Sequence, residues 1–158
     1  MSLGLDEKDI GDRHIVIFDG ECNFCNASVA FIIQRDPRAL FVFTPMQSDC
    51  ATRLMQKFGI EGVGVNGVGA GSEGADSEGG ETMILIKNSQ YYIFSTAALE
   101  IARDLKWPWC YLAALRFIPA VARDFFYKKF ARYRYALFGR RELCLVPDES
   151  VASRFLAP

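Results

Sequence analysis

The chain has 158 residues, of which 51% are hydrophobic and 13% aromatic, and its formal net charge is −1. This length fits one domain, residues 1–158, whose core needs no disulfide bonds to support it. The near-neutral charge argues against nucleic acid as the main partner. The five cysteines are an odd number and mostly scattered, unlike a secreted disulfide scaffold, so we expect a reducing, cytoplasmic location. Residues 1–13 are polar, and no stretch of about 18 apolar residues occurs, so we expect no signal peptide and no membrane span.

The first half of the chain predicts a strand, a helix, a second strand and another helix. Residues 15–18 (Ile-Val-Ile-Phe) form a continuous apolar run, which is typical of a buried strand. Apolar residues recur at helical spacing from Cys25 onward, and residues 40–44 predict the second strand. Because strands joined by one helix are parallel, this segment is a βαβ unit. Ser48 is placed to cap the next helix, and Gly59 is placed to end it.

Residues 61–81 differ in composition from the rest of the chain. They include eight glycines and five acidic residues, but no basic and no aromatic residue. Such a segment buries too little apolar area to offset the entropy of ordering it, so we expect a flexible insertion. A phosphate-binding loop is the other interpretation of so many glycines, and it fails because no Lys or Arg is present.

Two further strands and a helix follow this insertion. Residues 83–86 and 91–94 predict strands that a turn joins into an antiparallel pair, and Ser95 or Thr96 is placed to cap the helix after them. The order of elements, βαβα and then ββα, is that of the thioredoxin fold. We therefore predict an α/β protein with a thioredoxin-like core over residues 14–105, in which helices flank a mixed sheet.

Residues 106–158 are predicted to form a helical, basic extension of this core. Between Lys106 and Arg141 there are nine Lys or Arg residues and one acid, Asp124. We expect the aromatic residues of this region to face the core and its charges to face water. The aromatic residues are Trp107, Trp109, Phe117, Phe125, Phe126, Tyr127 and Phe130, and the charges are Arg116, Arg123, Lys128, Lys129, Arg132 and Arg134. A solvated basic face is one outcome, and peripheral docking to an acidic partner or an anionic membrane is the other.

Residues 19–25 (Asp-Gly-Glu-Cys-Asn-Phe-Cys) carry the clearest chemical signal. Two thiols three positions apart, where a strand passes into a helix, can form and release a disulfide. The free N–H groups and positive dipole end of the helix favour a thiolate at Cys22. Cys22 is therefore the candidate nucleophile, exposed at the helix start, and Cys25 is the candidate resolving thiol on the apolar face. Asp19 is placed either to accept the proton of Cys25 or to cap the turn after the strand.

Three other interpretations of this segment stay open. Cys22 and Cys25 could form half of a zinc site or simply pack, although zinc needs two further ligands and none occurs at a recognised spacing. We assign no metal and no cofactor. Residues 18–20 (Phe-Asp-Gly) also resemble the aspartate loop of haloacid dehalogenase hydrolases, but Glu21 stands where that loop usually carries its second Asp.

The pattern Asp19-x-x-Cys22-x-x-Cys25 after an apolar strand resembles the motif that names the DCC family of predicted thiol-disulfide oxidoreductases. Other segments that resemble the family pattern are 46–48, 95–99, 118–119, 123–124, Tyr127, 132–134, 138–140, Cys144 and 154–156. The resemblance covers residues 15–156 and implies a thioredoxin-like fold. It implies dithiol–disulfide exchange at Cys22 and Cys25 with a protein or small-molecule thiol or disulfide. The alternative function is a non-catalytic metal- or partner-binding module on the same scaffold.

The remaining cysteines and the single histidine complete the candidate residues. The resemblance includes Cys144 and so implies a third redox or metal-ligand role for it, beside simple packing. Cys50 and Cys110 are predicted to be small apolar residues that only pack. His14, directly before the first strand, is expected on the surface.

Overall fold

The computed structural model describes residues 12–60, 83–139 and 149–156. The predicted insertion at residues 61–81 and Cys144 lie outside these ranges. Among the helices that the described ranges contain, none is long and apolar enough to cross a membrane. The single-domain assignment and the boundary after residue 105 stay predictions.

The elements follow the predicted order. They are β1 (His14–Phe18), α1 (Asn23–Arg35), β2 (Phe41–Pro45), α2 (Asp49–Lys57), β3 (Ile84–Lys87), β4 (Gln90–Tyr92), α3 (Phe94–Asp104), a 3₁₀ helix (Trp109–Phe117), α4 (Ala120–Phe138) and α5 (Glu149–Ala152). The strands form one sheet in the order β2-β1-β3-β4. β1 pairs with β2 in parallel and with β3 antiparallel, and β3 pairs with β4 antiparallel. The predicted thioredoxin-like core, a mixed sheet flanked by helices, is confirmed.

Strand β1 lies in the interior of the sheet and is buried on both faces. Ile15 and Ile17 pack on the side of α2, together with Leu54. Val16 and Phe18 point the other way and pack on the side of α1 and α3, as the alternation of side chains along a strand requires. Because the strand is buried along its whole length, the residues that follow its carboxyl end start inside the molecule.

The described C-terminal segment returns to the free edge of β2. The backbone N–H of Phe43 donates to the carbonyl of Arg154 at 2.7 Å, and the N–H of Leu156 donates to the carbonyl of Phe43 at 2.9 Å. The Nε of Arg154 donates to the carbonyl of Phe41 at 2.8 Å, and its guanidinium pairs with buried Asp36. These bonds cover an edge that would otherwise expose unpaired backbone groups.

The starts of α2 and α3 are capped in different ways. The Oγ of Ser48 accepts a hydrogen bond from the backbone N–H of Ala51 at 3.1 Å, so the predicted cap of α2 is confirmed. The prediction that Ser95 or Thr96 caps α3 is wrong, because Ser95 already lies within the first turn. Its N–H, at 3.3 Å, and its hydroxyl both donate to Oδ1 of Asp124 in α4. The acceptor at this helix start therefore comes from another helix.

His14 lies inside the fold, so the prediction that it is a surface residue is wrong. It is the first residue of β1, and its Nε2 is 3.5 Å from a carboxylate oxygen of Asp104. Burial lowers the pKa of His14, and the nearby charge of Lys87 lowers it further.

Cys50 is buried in the core as predicted, and Cys110 is half-buried.

In the C-terminal extension the prediction that aromatic residues face the core is wrong for most of them. Trp107, Phe117, Phe125 and Phe126 are mainly exposed, and Trp109, Tyr127 and Phe130 are partly buried. The prediction that charges face water holds for Arg116, Lys128, Lys129 and Arg132, which are exposed. The residues that α4 buries are Ala131 and Arg134. The fully buried positions of the helix are thus one small and one charged residue, and Val121, Phe125 and Phe126 stay mainly exposed to solvent.

Replacing Asp124 by Ala should lower the free energy of unfolding by about 1 kcal/mol, because the first turn of α3 then loses its acceptor. Asp124→Asn keeps an oxygen at that position and serves as the matched control, with a smaller loss. Urea denaturation followed by circular dichroism measures both variants. Wild-type stability of Asp124→Ala would contradict the capping role.

Candidate active site

Asp19 directly follows β1 and is completely buried. Its Oδ1 accepts hydrogen bonds from the backbone N–H of Glu21 at 2.9 Å and from Nε2 of Gln47 at 3.2 Å. Its Oδ2 accepts from Nη2 of Arg134 at 3.2 Å and, in a close contact, from the hydroxyl of Tyr135. The carboxylate therefore joins β1, the loop after β2 and α4 at one buried point. The bond from Glu21 is the predicted turn cap, while the role of Asp19 as a proton acceptor stays a prediction.

The two cysteines lie at the helix start, as their spacing predicts. Cys22 is the N-cap residue of α1, and its Sγ accepts a hydrogen bond from the backbone N–H of Cys25 at 3.4 Å. Both are free thiols. The prediction that Cys22 is exposed is wrong, because its exposed fraction is 0% and that of Cys25 is 3%.

The C-terminal end of α4 lies against the start of α1. The Nδ2 of Asn23 donates to the carbonyl of Phe138 at 2.9 Å. The ring of Phe24 packs against those of Phe130 and Phe138, with centroids 4.9 and 5.1 Å away. Through these contacts the end of α4 covers the start of α1, where the cysteine pair (Cys22 and Cys25) lies.

Asn26 holds the turn between Asp19 and Cys22. Its Nδ2 donates to the carbonyl of Gly20 at 2.8 Å and to that of Cys22 at 3.0 Å. On the other side, the Oε1 of Gln47 accepts from the backbone N–H of Gly20 at 3.2 Å. The backbone N–H and the carbonyl of Gly20 are therefore both hydrogen-bonded. The turn that positions Cys22 is held by Asn26 of α1 and by Gln47 of the loop after β2.

Arg134 inserts its guanidinium between the second thiol and the carboxylate. Its Nη1 lies 3.2 Å from Sγ of Cys25, and its Nη2 lies 3.2 Å from Oδ2 of Asp19. With an exposed fraction of 3%, this charge is poorly screened by solvent. The prediction that Arg134 belongs to a solvated basic face is wrong.

Burial raises the pKa of the Cys25 thiol to about 12. The positive charge of Arg134 acts in the opposite direction, because it stabilises the thiolate, whereas Cys22 and Asp19 add to the increase. Cys25 is therefore protonated at neutral pH in this arrangement. When that proton is removed, Arg134 is the group in place to stabilise the sulfur anion.

A metal centre is the alternative to thiol chemistry for these side chains. Asp19, Cys22 and Cys25 offer donor atoms that all lie within 4.8 Å of one another. Tetrahedral zinc needs a fourth ligand, and within the described part of the chain no other His, Cys, Asp or Glu joins the group. The guanidinium of Arg134 also puts positive charge against two of the three ligands, which opposes a cation. The geometry therefore fits thiol chemistry better than metal binding.

The structure brings the three predicted site residues, Asp19, Cys22 and Cys25, to one buried point. Four residues that complete the site were missed: Asn26, Gln47, Arg134 and Tyr135. A signal existed for some of them, because segments 46–48 and 132–134 resemble the family pattern. That signal could not reveal the contacts, since 28 and 115 residues of chain separate Asp19 from Gln47 and from Arg134.

The mixed sheet, the flanking helices and the cysteine pair at the start of α1 define a thioredoxin-like α/β protein with a Cys-x-x-Cys motif. More particularly, the chain belongs to the DCC1-like thiol-disulfide oxidoreductase family, whose sequence profile matches residues 16–140. The resemblance seen in the sequence is thus confirmed, and the matched range includes Asp19, both cysteines and Arg134.

Two relatives extend over most of the chain. The uncharacterized protein YuxK of Bacillus subtilis (strain 168) is 34% identical over 144 residues, which are 91% of this chain and 94% of the relative. A DCC family protein of Arabidopsis thaliana, described as chloroplastic, is 33% identical over 133 residues, which are 84% of this chain and 69% of the relative. No solved structure matches the chain.

The raised pKa of Cys25 makes stability depend on pH. Above pH 9.0, the ordinary pKa of a thiol, the unfolded chain releases this proton, whereas the folded protein keeps it until about pH 12. The folded state then binds more protons, so the free energy of unfolding should fall as the pH rises through this window. The slope should approach about 1.4 kcal/mol per pH unit for this one group.

Urea denaturation across that pH range, under reducing conditions, measures the effect as the difference between wild type and Cys25→Ala. Other titrating groups contribute to both proteins and cancel in the comparison. Identical pH dependence of the two proteins would show that Cys25 is not a protonated, desolvated thiol.

Proposed function

We propose that this protein carries out reversible dithiol–disulfide exchange at Cys22 and Cys25, with a protein or a small molecule that contains a thiol or disulfide. The observation that carries the proposal is the closeness of the two sulfurs, within 4.8 Å at the start of α1, beside a buried guanidinium. Membership of the DCC1-like family supports it. The cytoplasmic location stays a prediction from the cysteine pattern.

The exchange follows from the positions of the two thiols. The thiolate of Cys22 attacks one sulfur of a substrate disulfide, whose S–S bond breaks, and the other substrate sulfur leaves as a thiolate that takes a proton. Cys25 then loses its proton and attacks the Cys22 sulfur of the mixed disulfide. The Cys22–Cys25 bond forms and the second substrate thiol is released, so the pair loses the two electrons that the substrate gains.

In the second step Arg134 stabilises the thiolate of Cys25, which burial otherwise disfavours. The carboxylate of Asp19 lies within 4.8 Å of both sulfurs and is the proposed proton acceptor. Its bonds to Gln47 and Tyr135 keep it in place beside Arg134. Asp19 and Arg134 thus act together on Cys25.

Mild oxidation should join Cys22 to Cys25. Mass spectrometry after alkylation in denaturant should show the loss of two hydrogen atoms, with the crosslink mapped to this pair. Cys22→Ser and Cys25→Ser should abolish the crosslink, whereas Cys50→Ser, at a buried position in a separate apolar cluster, should retain it. Full alkylation of both thiols after oxidation would contradict the proposal.

Replacing Arg134 by Gln should slow closure of the disulfide about 10-fold or more at neutral pH, because about 1.4 kcal/mol of thiolate stabilisation corresponds to a factor of ten. The rate should recover at higher pH, and Arg134→Lys should retain part of it. Stopped-flow oxidation by a small disulfide measures these rates. Lys128→Gln makes the same charge change on an exposed residue and is the control. An equal effect of the two Gln variants would rule out a local role for Arg134.

We also infer that the exposed surface of α4 contacts an anionic membrane peripherally. Val121 and Phe125 on α4 are exposed by 85% and 63%, and Phe117, at the end of the preceding 3₁₀ helix, is exposed by 88%. Lys128 and Lys129 follow Phe125 by three and four residues, and therefore lie on the same side of the helix. Exposed aromatic and aliphatic side chains beside basic ones are the features that hold a helix at an anionic bilayer surface.

Flotation with phosphatidylserine-containing vesicles tests this inference. The protein should float with them at low salt, and the double variant Lys128→Glu, Lys129→Glu should float less. High salt should also weaken the contact, because it screens exposed charges. Arg53→Glu with Lys57→Glu makes the same charge change on α2, on the other side of the sheet, and should have no effect. Absence of flotation at low salt would refute the membrane contact.

A further inference from the structure

An apolar cavity of about 600 Å³ lies between α1, α3, the 3₁₀ helix and α4. Its wall is mainly apolar and includes Phe31, Ile101, Trp109, Leu112 and Phe130. Cys25 and Arg134 line the same space. Cavities that hold small ligands are of this kind: about 300–1,000 Å³, largely apolar, with a few polar groups that fix orientation.

This cavity gives a small molecule access to the cysteine pair. Cys22 is completely buried, but Cys25 forms part of the cavity wall. Leu112 and Phe130 also line it and are exposed by 45% and 37%, which places its mouth between the 3₁₀ helix and α4. A small apolar molecule can enter there.

One polar group in the wall lacks a partner. The two terminal nitrogens of Arg134 bind Cys25 and Asp19. Its Nε is buried and has no hydrogen-bond partner among the residues that the structure describes. A buried N–H without an acceptor is costly, and a small turn of the side chain toward an oxygen of a ligand in the cavity would satisfy it. The ligand that fits is therefore apolar over most of its surface and carries a hydrogen-bond acceptor.

We propose that this cavity binds an apolar carbonyl compound of the quinone class, which accepts electrons from the Cys22–Cys25 dithiol. The proposal rests on the dithiol–disulfide function proposed above. The rings of Trp109 and Phe130 line the cavity and offer aromatic surface to a flat ring. In this complex the guanidinium of Arg134 donates to a carbonyl oxygen, and the ring lies beside Cys25, which lines the same cavity.

The reaction is balanced between the dithiol and the quinone. Cys25, the thiol in the cavity wall, faces the quinone, and Cys22 supplies the second sulfur from outside the wall. The S–H bonds of both thiols break and their S–S bond forms. The electron pair that is released passes to the quinone ring, and two protons end on its two oxygens. The protein is oxidised to the disulfide, and the quinone is reduced to the hydroquinone.

Tetramethyl-1,4-benzoquinone (duroquinone) is the probe, because all its ring positions are substituted and a thiol cannot form a stable adduct with it. Trp107 and Trp109 are the two tryptophans of the chain, so Trp107→Phe leaves Trp109, in the cavity wall, as the reporter. Duroquinone should quench its fluorescence saturably. Ala98→Phe, which adds a ring at the cavity wall, should weaken binding at least about 10-fold, while Ala30→Phe, exposed on α1 and outside the wall, should not.

Tetramethylbenzene (durene) has the same shape as duroquinone without its oxygens. In competition with duroquinone it should bind at least about 10-fold more weakly, because it gives Arg134 no acceptor. Equal affinity would overturn the quinone assignment, since the carbonyl would then not be recognised.

Cys22→Ser separates binding from electron transfer. It should bind duroquinone as wild type does, since Cys22 is not part of the cavity wall, but reduce none of it. Wild type should produce one hydroquinone for each Cys22–Cys25 disulfide. If the disulfide forms with other oxidants but duroquinone does not bind saturably, the quinone proposal fails and the exchange function stands. If duroquinone binds but no oxidant forms the disulfide, the exchange function fails.

Discussion

The buried ion pair between Asp19 and Arg134 is the contact on which the rest of the site depends. Taking either charge out of water alone is costly, and each is compensated only by the other and by the hydrogen bonds around them. Breaking such a pair from one side typically costs about 3–5 kcal/mol, because an uncompensated charge stays buried. Oδ2 of Asp19 and Nη2 of Arg134 are 3.2 Å apart although 115 residues separate them in the chain. The pair therefore fixes where α4 lies relative to the start of α1.

The same constraint explains the unusual surface of α4. Its inner side presents Asp124 to the first turn of α3 and Arg134 to the cysteine pair. Phe130 and Phe138 of the same helix pack against Phe24. Phe125 and Phe126 lie outside these contacts and stay mainly exposed. The buried site and the exposed apolar surface are thus two consequences of one helix orientation.

Two opposing effects set the chemistry of Cys25. Burial holds the thiol in its protonated form, and the adjacent guanidinium of Arg134 lowers the free energy of the thiolate. A resolving thiol needs both properties, since it must stay unreactive until the mixed disulfide has formed and must then lose its proton. The apolar cavity that Cys25 and Arg134 line leaves room for a small reaction partner beside the sulfur. Burial and reactivity are compatible here because the stabilising charge is itself buried.

Features that depend on near neighbours in the chain could be predicted from the order of the residues alone. A continuous apolar run at residues 15–18 was enough to predict an interior strand, because a strand buried on both faces has no polar side. The spacing of Cys22 and Cys25 likewise placed both thiols at the start of α1. The burial of Cys22 and His14 and the contact of Arg134 with the site depend on how distant segments pack, and no local pattern predicts them. Helical periodicity predicts the apolar side inward, and in α4 an ion pair with a residue far away in the chain outweighs that preference.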